Sequence, residues 1–233
     1  MDLIRLDEAL DHCHRALALA EEMNDRQIVI FTTSNIGNIL YRQGRYEPAA
    51  AYFKKAAHLA ETIGDRPNLT YANMQLGNTY RQLGDFALAD QYYQMAIPGA
   101  RDQGEKFHLG GYLCDLAELR FLTGRYPEAR AHCDEALACG MDNPAVQFRA
   151  RLQRARIDGR TDPSAARDEL TGMLEEFSGD ERAAEIYFAL CDIDPSDEHR
   201  ACALALYQKL HRAQPNELYL RAIKKLNGSL PLS

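Results

Sequence analysis

The sequence repeats itself every 40 residues, and this internal repeat limits the chain to a small set of folds. Residues 36–49, 76–89 and 116–129 align without gaps. Each segment carries a small residue, then a Gly, then an aromatic residue, then an Ala. The small residues are Gly37, Gly77 and Ala117, and the glycines that follow them are Gly44, Gly84 and Gly124. The aromatic residues are Tyr46, Phe86 and Tyr126, and the alanines are Ala49, Ala89 and Ala129. Repeats of this length predict stacked supersecondary units that share one continuous core.

The apolar composition indicates that each unit is helical. The chain has 33 Ala and 29 Leu but only 11 Ile and 2 Val, and Val and Ile are the usual residues of strands. This excludes an α/β sheet or a β-sandwich. No run of about 18 uncharged apolar residues occurs, which argues against a membrane span. The N-terminus lacks the pattern of a signal peptide, so we expect a cytoplasmic protein.

The spacing of the small residues predicts how each unit folds. Gly44, Gly84 and Gly124 suit the left-handed residue that ends a helix, so each unit reads as two helices joined by a short turn. Gly64 and Gly104 end the second helices of the first two units, but the matching Gly140 comes four residues early. Four residues make about one helical turn. The second helix of the third unit should therefore be one turn shorter.

The aligned segments resemble the tetratricopeptide repeat, most closely over residues 76–96. That family usually repeats at about 34 residues. A 40-residue period is similar to the subtype in kinesin light chains, the Leu-Gly-Asn spindle adaptor and bacterial Rap-type receptors. The resemblance implies an all-α fold, a right-handed α-solenoid of antiparallel helix pairs. In the third unit Cys133 and Ala136 continue the register, whereas later units depart further from the pattern.

The resemblance covers the chain as a single repeat domain, residues 1–233. Within it we expect a half repeat at 3–22, clear repeats at 27–64, 67–104 and 107–140, degenerate repeats at 144–178 and 180–213, and a capping helix at 215–227.

In the resembling proteins the first helices of the units line a concave groove that binds peptides. Carried over to this chain, the groove residues are Phe31, Asn35, Asn38, Tyr41, Arg42, Tyr71, Met74, Asn78, Arg81, Cys114, Glu118 and Phe121. Asn38 and Asn78 occupy the same repeat position, and an Asn amide can donate to and accept from a peptide backbone together. The alternative is that these two residues are merely solvated polar side chains.

Nothing in the sequence predicts a metal, a cofactor or a catalytic residue. The run His12-Cys13-His14 consists of metal-ligand residue types, but successive helical residues point about 100° apart and cannot converge on one ion. No phosphate-binding Gly loop occurs. With a net charge of −7, the chain lacks the basic face that nucleic acids require.

Charge is unevenly distributed near the fourth unit. Residues 145–160 hold five Arg against one Asp, whereas residues 161–198 hold 12 acidic and 2 basic side chains. We expect the Arg side chains to pair with the adjoining acidic helices, and the alternative is that they bind an acidic partner.

The sequence therefore predicts a non-enzymatic scaffold that binds a protein or peptide partner in its groove, with neither nucleic acid nor membrane as partner. Two alternatives stay open. In the first alternative, the chain is a regulatory or sensory region of a larger, bacterial signalling or transcription regulator. In the second, it is a self-assembling homodimer module.

Overall fold

The computed structural model describes residues 3–102, 106–177 and 179–228, which form twelve α-helices and contain no strand. In chain order the helices are α1 Leu3–Glu22, α2 Arg26–Arg42, α3 Tyr46–Ile63, α4 Arg66–Leu83, α5 Phe86–Asp102, α6 Lys106–Leu122, α7 Tyr126–Cys139, α8 Pro144–Asp158, α9 Pro163–Glu176, α10 Asp180–Ile193, α11 Asp197–Ala213 and α12 Glu217–Leu226.

The chain divides into two compact units, Met1–Leu119 and Arg120–Ser233. In unit 1 each helix from α1 to α4 packs against the next helix along the chain, and in unit 2 the same holds for each helix from α7 to α11. Turns of a few residues join these neighbours, so successive helices run antiparallel. The prediction of an all-α solenoid built from helix pairs is confirmed.

In unit 1 the two helices of a repeat pack closely, because an aromatic ring of the second helix lies against a glycine of the first helix. A Cβ atom added to Gly37 would lie 2.7 Å from Phe53, and one added to Gly77 would lie 2.4 Å from Tyr93. Both rings are completely buried. Gly37 and Gly77 therefore have to be small, because a larger side chain at either position would collide with the ring.

The glycines at the ends of the first helices adopt the predicted left-handed conformation. Gly44, Gly84 and Gly124 have φ angles of 74°, 81° and 74°. Gly64 ends α3 in the same way, whereas Gly104 lies outside the described residues. The helix before Gly140 is shortened as predicted, since α7 has 14 residues and α3 has 18.

In unit 2 the arginines of α8 pair with carboxylates of neighbouring helices. Arg151 bonds to Glu169 of α9, with 2.9 Å between the nitrogen and the oxygen, and Arg156 bonds to Asp192 of α10 at 3.0 Å. A further contact joins Arg154 to α7. The expectation that this basic stretch pairs with the adjoining acidic helices is confirmed for Arg151 and Arg156.

Candidate functional site

The first helices of the repeats carry two parallel stripes of side chains, and only one of them faces solvent. The packed stripe includes the position shared by Ser34, Met74 and Cys114, all of which are buried. These residues lie between helices. Met74 and Cys114 are groove residues in the sequence prediction, yet at 0% and 3% exposure they offer no surface to a ligand.

A second position of the packed stripe is shared by Tyr41, Arg81 and Phe121. Tyr41 is half-buried, and its ring packs edge-on against Tyr46 with 5.3 Å between centroids. Burial raises the pKa of the Tyr41 hydroxyl. In unit 2, Phe121 is buried and packs against Tyr126 at 5.5 Å. This position therefore contributes to packing, and its assignment to the groove stays a prediction.

The open stripe holds the remaining predicted residues of α2 and α4. We call its central part the amide face and define it as Phe31, Asn35, Asn38, Tyr71 and Asn78. Phe31 is 61% exposed, while the other four residues are half-buried. Three of the five side chains are amides, so the face combines hydrogen-bonding capacity with one exposed aromatic ring.

Asn38 is held in place by Tyr71 of the next first helix. The Asn38 Nδ2 atom donates to the Tyr71 hydroxyl at 2.8 Å, and the hydroxyl lies 3.0 Å from Asn38 Oδ1, to which it can donate. A side-chain amide has two N–H donors and two acceptor sites. The contact to Tyr71 therefore leaves Asn38 one donor and one acceptor position, on a side chain whose orientation is fixed.

Asn78 has a different environment, because it belongs to a polar network. Its Oδ1 accepts from the buried Tyr93 hydroxyl at 2.6 Å, and its Nδ2 donates to Asp115 at 3.3 Å. Both ends of the amide are thus engaged within the fold. Asn78 contributes to helix packing as well as to the amide face.

Arg81 completes this network beneath the surface. Its guanidinium lies 2.9 Å from the Glu118 carboxylate and 3.4 Å from the Tyr93 hydroxyl. Burial lowers the pKa of Arg81, but the charge of Glu118 and the neighbouring Tyr93 and Asp115 outweigh burial and raise it. Burial in turn raises the pKa of Tyr93. Arg81 therefore keeps its positive charge, and the Tyr93 hydroxyl keeps its proton near neutral pH.

The sequence prediction missed Ile28, which is 44% exposed and lies one helical turn before Phe31. The signal was its spacing, because residues three apart share a helix face. Arg42 lies at the other end of α2 and is exposed. The open stripe of α2 therefore runs from an apolar end, through two amides, to a cation.

No group of three metal-binding side chains occurs among the described residues. Within the same residues, no helix has the length and apolar character needed to span a membrane.

The family comparison agrees with this architecture. The model of the tetratricopeptide repeat matches residues 2–62 and 29–102, which hold the half repeat and the first two 40-residue units. Residues 2–102 are tetratricopeptide repeats. The match covers the part of unit 1 that carries the amide face. No curated protein sequence matches the chain.

Several solved structures share the fold at low sequence identity. NprR, in complex with its cognate peptide NprX, has a TM-score of 0.69 and 15% identity, covering 96% of this chain and 66% of NprR. A kinesin light chain of Podospora anserina with TPR-like repeats scores 0.58 at 10% identity, covering 79% of this chain and 96% of that one. BtubC (BKLC) from P. vanneervenii scores 0.52 at 14% identity, covering 96% and 91%. These likenesses show the fold alone.

Proposed function

We propose that this protein is a non-enzymatic scaffold that binds an extended peptide segment of a partner on the amide face. The observation that carries the proposal is the exposure of Phe31, at 61%, beside the oriented amide of Asn38. A large exposed aromatic ring flanked by polar groups is a usual mark of an interaction site.

The chemistry of the face fits a peptide backbone. Asn38 retains one donor and one acceptor, and none of the described residues bonds to the Asn35 side chain. An extended segment exposes N–H and C=O groups that need such partners. Phe31 and Ile28 would cover an apolar side chain of the same segment. NprR, whose structure contains a peptide, supports the proposal as an example of this fold with a peptide ligand.

The test is a selection of peptides from a random phage-displayed library on the full chain, followed by binding measurements on variants. Phe31→Ala should weaken the selected peptides by about ten- to a hundredfold, because burying a Phe side chain contributes ~1.5–3 kcal/mol. Met95→Ala is the matched control, since Met95 is 64% exposed but lies on α5. The proposal fails if no peptide is selected, or if Phe31→Ala binds the selected peptides as wild type does.

Asn38→Ala should weaken the same peptides by about thirtyfold, since each hydrogen bond contributes ~1 kcal/mol and the amide offers two. Asn78→Ala is a poorer probe, because it also removes the contacts to Tyr93 and Asp115. Unaltered binding by Asn38→Ala would exclude the amide from the contact while leaving Phe31 as the anchor.

A further inference from the structure

Unit 2 contains a cluster of polar side chains in which several hydrogen-bond donors have no acceptor within the described residues. It lies on one face of the C-terminal part of α8 and just after it, at Gln153, Arg156 and Arg160. Residues at these spacings share a helix face. Gln153 is buried, with 7% of its surface exposed, and its Nε2 has no hydrogen-bond partner. The Nε atom of Arg156 is buried and also without a partner.

The Phe121 ring organises the two arginines. The guanidinium carbon of Arg156 lies 4.7 Å from the centre of the Phe121 ring, and that of Arg160 lies 5.4 Å from it. Arg160 is also 5.9 Å from the Tyr126 ring. Stacking on a ring uses the face of a guanidinium and leaves its N–H donors, which lie at the edge, for a further ligand.

The carboxylates near this cluster are already engaged. Asp192 bonds to Arg156 at 3.0 Å, and Asp158, two residues before Arg160, bonds to Arg130. The Gln153 amide oxygen accepts from Arg156 at 3.3 Å. Among the described residues none gives the Arg160 guanidinium a hydrogen bond or an ion pair. Arg156 thus has a carboxylate partner, whereas Arg160 has none among the described residues and is exposed to solvent.

The N-terminus of α7 also lies at this cluster, and the Glu128 carboxylate in its first turn is paired with Arg125. Arg125 occupies its N-cap but makes no side-chain capping bond, and Tyr126, the first residue of α7, contacts Arg160. A helix N-terminus carries a partial positive charge and exposes N–H groups. The ring contact therefore brings this helix end and the free guanidinium to one place.

We propose that this cluster binds a carboxylate of an acidic peptide segment, with the Arg160 guanidinium as the main contact and Arg156 beside it. A guanidinium edge and a carboxylate are planar and can form two parallel hydrogen bonds. The site lies wholly in unit 2 and is independent of the amide face. It would give the scaffold a second, charge-selective contact.

The test titrates the full chain with acetyl-hexaglutamate at low salt and follows the Nε–Hε signals of arginine side chains by NMR. The Arg160 signal should shift, and Arg160→Gln should weaken binding by about tenfold, because a charge-assisted hydrogen bond contributes ~1.5–3 kcal/mol. Arg200→Gln is the matched control: Arg200 is exposed, and within the described part of the chain no ion pair or ring contact involves its side chain. Acetyl-hexaglutamine should not bind.

Three results would overturn the proposal: hexaglutamate fails to bind, Arg160→Gln binds it as wild type does, or Arg200→Gln weakens it equally. A parallel titration with inorganic phosphate separates the possible anions. If phosphate shifts the Arg160 signal and hexaglutamate does not, the site takes phosphate and the carboxylate assignment is wrong. Arg160→Gln loses the contacts with the Phe121 and Tyr126 rings but no ion pair within the described residues, so thermal unfolding is measured for each variant to show that it is folded at the temperature of the titration.

Discussion

Phe53 and Tyr93 occupy the same repeat position, but only one of them can hydrogen-bond to the adjacent asparagine. The Tyr93 hydroxyl reaches Asn78, whereas Phe53 has no hydroxyl to offer Asn38. Asn38 instead bonds to Tyr71 at the surface. The two equivalent asparagines thus have different partners, and Asn38, which keeps a donor and an acceptor, is the better candidate for contact with a ligand.

At the residue scale, the glycines of the first helices give a matched pair of substitutions. Gly77→Ala should destabilise the protein by about 1–3 kcal/mol, because the added Cβ would lie 2.4 Å from the buried Tyr93 ring. Gly111→Ala on α6 should be neutral or stabilising by ~0.5–1 kcal/mol, since its Cβ would meet nothing within 4 Å. Chemical denaturation of both variants checks this. Equal effects would contradict the packing role of Gly77.

Cysteine reactivity provides a second check at this scale. Burial raises the pKa of the Cys191 thiol to about 11, so near pH ~8 only about one thiol in a thousand is ionised. Cys202 is half-exposed on α11. Alkylation followed by mass spectrometry should modify Cys202 well before Cys191, and labelling of Cys191 should increase as the pH rises towards 11. Rapid labelling of Cys191 at neutral pH would contradict its burial.

At the element scale, the second helices of the three clear units begin differently. Arg45, Asp85 and Arg125 share one repeat position, but only Asp85 caps its helix, accepting from the Leu88 N–H at 3.0 Å. Neither arginine makes a side-chain cap. The second helices of these units therefore differ in N-terminal stabilisation although their packing positions agree.

This difference predicts opposite effects of substitutions at equivalent positions. Arg45→Ser should stabilise the protein by about 0.5–1 kcal/mol by adding a cap, and Asp85→Ala should destabilise it by ~1 kcal/mol by removing one. Arg45→Ala separates the cap from the loss of the arginine. Thermal unfolding of the three variants measures the effect. If Arg45→Ser is no more stable than Arg45→Ala, the cap is not formed.

Helix positions could be predicted from the sequence because they depend on spacing. The early Gly140 indicated the short α7, and Gly44, Gly84 and Gly124 marked the ends of first helices. The division of a first helix into a packed and an open stripe could not be predicted in the same way. Met74 and Phe31 lie three positions apart in the repeat pattern, and only the packing of adjacent helices decides which of the two is buried.

At the scale of the whole molecule, the two units offer different chemistry. Unit 1 has amides and an exposed aromatic ring on α2 and α4. In unit 2 the guanidinium groups of Arg156 and Arg160 lie over the Phe121 ring. The unequal charge of residues 145–160 is visible in the sequence, but the structure is needed to show that Arg151, Arg154 and Arg156 are paired while Arg160 is not.

The central claim is that the amide face of unit 1 binds a peptide, and side-chain amide NMR signals test it most directly. On addition of a library-selected peptide to the full chain, the Nδ2–Hδ2 signals of Asn35 and Asn38 should shift. The signal of Asn143, which caps α8 in unit 2, should not. If the peptide binds and the Asn35 and Asn38 signals stay unchanged, the binding surface lies elsewhere and the account is wrong.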